Sequence, residues 1–160
     1  MSFLTAVIVD FSVDRALEHL SLMAIAYALA LPVGWNREFQ SDSAGLRTFP
    51  LVAMASCGFM LVAASSFHDQ QAFSRAFQGL IGGIGFIGGG AILKNDDTVK
   101  GTATAASLWG TGAIGVAVAW GHFEIAVMIS LISFLTLRFL KSAKEGVSHA
   151  KDKIDGNRDS

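Results

Sequence analysis

Five runs of this chain contain no Asp, Glu, Lys or Arg, and they decide which solvent it folds in. They cover residues 20–36, 48–67, 76–93, 101–121 and 125–137. A helix crossing the hydrocarbon core needs about 20 mostly apolar residues, within a range of roughly 17–25. The first four runs reach that length. The fifth is shorter, but Glu124 and Arg138 stand at its ends, where long side chains reach the headgroups. The expected fold class is therefore all-α: a polytopic membrane helix bundle with five transmembrane spans at 17–35, 49–66, 76–93, 103–120 and 123–140.

Composition agrees. Charged residues make up 16% of the 160-residue chain, against a globular norm of roughly 25%. A soluble helical core would not repeat apolar runs of this length. A net charge of −1 gives no bulk attraction to nucleic acid, so the lipid bilayer is the expected partner. The opening residues, MSFLTAVIVDFSVDRALEH, lack a basic leader and carry Asp10 and Asp14, so no cleaved signal peptide is expected. Thr5 to Val13 suit either a short interfacial helix or an extension of the first span.

Basic residues orient the bundle. With the N-terminus outside and the C-terminus in the cytoplasm, the 36–48 loop, the 94–102 loop and the tail all face the cytoplasm. Those segments, together with Arg138 at the inner end of the fifth span, hold ten of the twelve basic residues, leaving Arg15 and Arg75 outside. Lys and Arg hold cytoplasmic loops in place, so this orientation is expected. The tail, residues 141–160, reads as a charged, frayed helix end followed by disorder. Gly121-His122 reads as a tight outer hairpin. There His122 and Glu124 are either wetted turn residues or a proton-sensing pair.

Gly83-Ile84-Gly85-Phe86-Ile87-Gly88 matches G-x-G-x-x-G, the dinucleotide fingerprint. That fingerprint needs a strand before it and a helix after it. Here it sits inside a charge-free run, so nucleotide binding is excluded. On a helix, Gly79, Gly82, Gly83, Phe86, Gly89 and Gly90 share one face, opposite Leu80, Ile84, Ile87 and Ala91. Gly79/Gly83 and Gly85/Gly89 are small-xxx-small pairs. Such faces let backbones approach closely in lipid, where no hydrophobic force joins helices. The expected role is a Gly-rich packing face. The alternative is a helix broken near Gly88-Gly89-Gly90 that lines a cavity.

The fourth span is small on nearly every side and is expected at the centre of the bundle. Thr104, Ser107 and Thr111 form a hydroxyl stripe that either bonds back to its own helix or lines a polar path. The fifth span is bulky and branched and is expected to face lipid. The cytoplasmic rim carries Asn36, Arg37, Glu38, Asp42, Arg47, Thr48, Lys94, Asp96, Asp97 and Lys100. Arg37, Glu38, Asp42, Arg47, Asp96 and Asp97 are expected to form one ion-pair network, and the rim to anchor helix ends, dock a partner, gate a proton or cation, or hold a divalent ion, for which Asp96-Asp97 alone is weak evidence. The four histidines are scattered without ligand spacing, and no nucleophile elbow or P-loop is present. No catalytic residue, metal or cofactor is expected.

At the rim the chain resembles the MgtC/SapB family of bacterial inner-membrane proteins. The resemblance rests on Gly34-Trp35-Asn36-Arg37-Glu38, on residues 44–52 (AGLRTFPLV), on residues 83–93 (GIGFIGGGAIL), and on residues 98–109 (TVKGTATAASLW), which include Thr102 and Trp109. The blocks cover residues 20 to 120 in family order. The resemblance implies adaptation to stress: low magnesium, acid, and survival inside host cells, hence virulence. It implies a small regulator of other membrane proteins, including the ATP synthase, rather than a proven transporter. It marks Arg37, Glu38 and Arg47 as functionally sensitive. Many members add a soluble cytoplasmic domain after the last span, and this chain is expected to be a short form without it. The alternative expectation is a transporter or channel for protons, Mg²⁺ or a small solute. Five short spans enclose little volume, so a homo-oligomer is expected.

Overall fold

A computed structural model describes residues 12–39, 44–95 and 98–155. Five helices follow in order: α1 Val13–Glu38, α2 Thr48–Ser66, α3 Gln70–Gly90, α4 Thr102–Ala119 and α5 Phe123–Asp155. A short antiparallel hairpin, β1 Leu93–Asn95 and β2 Thr98–Lys100, joins α3 to α4. The bundle is all-α apart from this hairpin. The question of Thr5 to Val13 lies almost wholly outside the described residues.

Local chemistry fixes the helix ends. Ser12 caps α1 by accepting a bond from the Arg15 amide. Asp69 caps α3 by accepting from the amides of Gln71 and Ala72 at 3.3 and 3.1 Å. At the start of α2 the amides of Thr48 and Phe49 both turn to the Gly45 carbonyl. The next residue is Pro50, which has no N–H to satisfy in this first turn. Gly101 has φ of 89°, in the left-handed region, where an added Cβ would also collide with the Ala91 carbonyl. Only glycine turns the hairpin into α4 at that point.

Several boundaries differ from expectation. The first helix runs through Glu38, so Asn36, Arg37 and Glu38 lie on its last turn rather than in a loop. Arg37 suits that turn, because a cation near a helix C-terminus meets the negative end of the dipole. The 94–102 segment is a hairpin, not an open loop. α3 stays helical through Gly90 and is not broken at Gly88-Gly89-Gly90. α5 continues to Asp155, where disorder was expected; residues 141–155 contain no proline and include four Lys and two Ala, which favour helix.

By length and hydropathy α1, α2 and α4 can each cross a membrane. α4 is the hub and touches all four other helices. Its small residues make this possible: Thr104, Ser107, Thr111, Gly112, Gly115 and Ala117 are all buried. One core cluster joins Ala26, Ala30, Ala53, Cys57, Ile114 and Val118. A second, near the rim, joins Val33, Phe49, Ala91 and Leu108. α5 buries a narrow stripe at Ala126 and Ser130 and exposes its bulky residues, including Met128, Leu131 and Ile132.

Candidate functional site

The polar site forms where α1 ends, α2 begins and α4 begins. Arg37 is 8% exposed and Asn36 6%. The Arg37 guanidinium crosses to α4 and donates from Nη2 to Thr104 Oγ1 at 2.7 Å. Two buried atoms here, Arg37 Nε and Asn36 Oδ1, have no hydrogen-bond partner. The site thus keeps one open donor and one open acceptor, enough to hold a water or a small polar group.

Glu38 does something different. Its Oε2 accepts from the Leu46 amide at 2.8 Å and so ties the end of α1 to the turn entering α2. Gly45 lies under this bond. An added Cβ there would collide with the Glu38 carboxylate and come within 2.9 Å of its Cα. Gly45→Ala is therefore expected to break the Glu38–Leu46 tie. The check is amide hydrogen exchange: Leu46 should lose protection while α4 amides keep theirs.

The expected ion-pair network is not what the described residues form. Among them no ion pair joins Glu38 to Arg37 or Arg47; Arg37 takes a hydroxyl and Glu38 a backbone amide. The reason is the helical turn: consecutive residues point about 100° apart, so neighbours in sequence reach different helices. Asp42, Asp96 and Asp97 lie outside the described residues. Lys94 and Lys100 stand exposed on the hairpin, and Thr102 is exposed at the start of α4. Arg47 and Thr48 open onto an apolar cleft between α2 and α3.

The hydroxyl stripe resolves by bonding. Ser107 Oγ donates to the Ala103 carbonyl at 2.6 Å, and Thr111 Oγ1 to the Ser107 carbonyl at 2.8 Å. Both are tied back to their own helix. Trp109 is exposed on the far side of α4. His122 and Glu124 approach to 3.6 Å at the turn between α4 and α5, with both side chains well exposed.

α3 presents a surprise in direction. Its contact with α4 is made by Ile84 and Gly88, the latter placing an added Cβ 3.2 Å from the Ala105 carbonyl. Trp120 also holds α3, with its ring 5.7 and 5.5 Å from those of Phe73 and Phe77. Gly79, Gly82, Gly83, Gly85, Gly89 and Gly90 would each find nothing within 4 Å of an added Cβ, and Phe86 is 85% exposed. Within this chain the glycine face is open, and the face expected to look outward, at Ile84 and Ala91, packs inward. Periodicity identifies residues that share a face; it does not say which face meets the neighbour. Ser130, which donates to the Leu29 carbonyl at 2.6 Å, was missed because one serine in an apolar run carries no signal of direction.

A model of the MgtC family matches residues 23–145. The chain is 35% identical over 132 residues to the uncharacterized protein slr0014 of Synechocystis, covering 82% of this chain and 56% of that protein. It is 35% identical over 112 residues to the putative magnesium transporter YhiD of Escherichia coli, covering 66% and 52%. It is 31% identical over 139 residues to protein MgtC of Salmonella typhimurium, covering 87% and 59%. The chain spans little more than half the length of these relatives. No solved structure matches it.

Proposed function

The chain belongs to the MgtC family, and from that premise we propose a multi-pass inner-membrane regulator without enzymatic turnover that acts on other membrane proteins in stress adaptation. All five helices cross the membrane, with the N-terminus outside and the C-terminus cytoplasmic, as the distribution of basic residues favours. The observation that carries the proposal is the outer face of α3. Gly82, Gly85 and Gly89 leave bare backbone beside the exposed ring of Phe86. Bare backbone permits the close helix–helix approach by which membrane proteins associate. The partner is a transmembrane helix of another membrane protein, with the ATP synthase suggested by family likeness, or of a second copy.

The test places a photo-crosslinking residue at Phe86 in growing cells. An adduct with another membrane protein is expected, and Gly82→Leu with Gly89→Leu should abolish it without unfolding the chain. Adducts with lipid alone would reject the regulator. Gly88→Leu, by contrast, should damage the fold itself, because the Ala105 carbonyl stands in its way.

A second reading is a transporter or channel for protons, Mg²⁺ or a small solute. The open hydrogen-bond positions at Asn36 and Arg37 favour it, as does the likeness to YhiD, a putative magnesium transporter. The back-bonded hydroxyls of α4 speak against a polar path beside them. Proteoliposomes holding folded protein and showing no flux under a membrane potential would remove this reading.

A further inference from the structure

Between α2 and α3 lies a cleft of about 770 Å³. It exists because α3 leans on α4 through Ile84, Gly88 and the Trp120 contacts, and stands away from α2. It runs from Arg47, at the start of α2, to Phe67, just past its end. At 1.5 Å per residue that is about 30 Å, the thickness of the hydrocarbon core. The mean cross-section is therefore about 25 Å² over that helical length. A helix is roughly 10–12 Å across with its side chains, or about 80–110 Å², so it cannot sink fully into the cleft. A single hydrocarbon chain, whose carbon neighbours sit about 4 Å away, needs on the order of 20 Å². The cleft is an open groove of about the width of one alkyl chain.

Its lining is apolar and shaped. Gly79 and Gly83 on α3 and Ala55 on α2 supply the hollow, and Phe59 supplies a flat wall. Arg47 is the one charged residue that lines it, with the Thr48 hydroxyl beside it. Both lie at the end where α3 passes into the hairpin. A cation at one end of an alkyl-sized groove complements an amphiphile with an anionic head. We infer that the cleft holds an acyl chain of an anionic phospholipid, with its phosphate held by Arg47 and Thr48. A chain from one leaflet reaches about half the 30 Å core. It lies along Leu51, Ala55 and Phe59 on one side and Ile87 and Gly83 on the other.

Native mass spectrometry tests this on the full chain, released from vesicles of phosphatidylglycerol and phosphatidylcholine in equal amounts with matched acyl chains. One phosphatidylglycerol per chain is expected to survive at energies that strip phosphatidylcholine. Arg47→Gln should lower the phosphatidylglycerol preference about fivefold, the size of one basic side chain's attraction to anionic lipid, and Arg47→Lys should restore most of it. Ala55→Phe and Gly83→Leu fill the cleft from exposed positions and should lose both lipids, with helix content by circular dichroism equal to wild type. Equal retention of the two lipids by the wild type would overturn the proposal. So would lipid kept by both cleft-filling variants, or a lipid-free dimer that these variants dissociate.

Discussion

Gly115→Ala is expected to be among the most damaging single-methyl changes in the bundle. Gly115 lies on α4 where it crosses α2. An added Cβ would collide with the Ala53 carbonyl and come within 2.8 Å of Ser56 Cβ and 2.9 Å of the Cys57 amide nitrogen. Two of these atoms are backbone inside a helix and cannot swing away as a side-chain tip can. The helices must separate, and the core of Ala53, Cys57 and Ile114 separates with them. Overpacking costs roughly 1–3 kcal/mol, and rigid neighbours place this case at about 3. Gly79→Ala is the matched control. It meets nothing within 4 Å and should gain up to about 1 kcal/mol from helix propensity. Thermal unfolding in detergent, followed by size exclusion, checks the pair. Equal midpoints would show that α2 and α4 do not cross at Gly115.

The second large effect concerns Arg37 and Thr104, where opposite choices of substitution should give opposite results. Thr104→Val removes the acceptor at 2.7 Å and strands a buried guanidinium, which costs about 3 kcal/mol or more. Arg37→Ala removes a bond from a charged donor, roughly 1.5–3 kcal/mol, and leaves a void beside it. Arg37→Met keeps much of the volume and removes the charge, which is often neutral for stability. The expected order of stability is therefore Arg37→Met, then Arg37→Ala, then Thr104→Val. The same Arg37→Met chain should lose function, since the open Nε donor goes with the guanidinium. Activity retained in Arg37→Met would reduce the site to a structural tie. A Met variant as unstable as Thr104→Val would contradict the buried geometry.

Much of this bundle was legible because lipid imposes simple rules. Charge-free runs mark where helices pass, and α2 and α4 end within a residue of those expected. The central place of α4 followed from its small residues, since only a slender helix can touch four others. The site was legible only in part. Asn36, Arg37, Glu38 and Arg47 stood out as polar residues beside an apolar run. Their division of labour did not, because it depends on where the last turn of α1 stops. One turn fewer would have put Arg37 in water. The hairpin was hidden as well, since a short charged segment has no apolar period to betray a strand. The direction of α3 was hidden for the opposite reason: both of its faces are small or apolar, and either could have met α4.

One contact ties together two distant parts of the chain. Pro32 lies inside α1 and supplies no N–H, so the ladder of that helix is broken at this turn. The carbonyl that loses its partner is that of Ala28, four residues back. Ser130 on α5 donates its hydroxyl to the adjacent one, the Leu29 carbonyl, at 2.6 Å. The turn that Pro32 weakens in α1 is thus held from outside, by a helix 101 residues further along the chain.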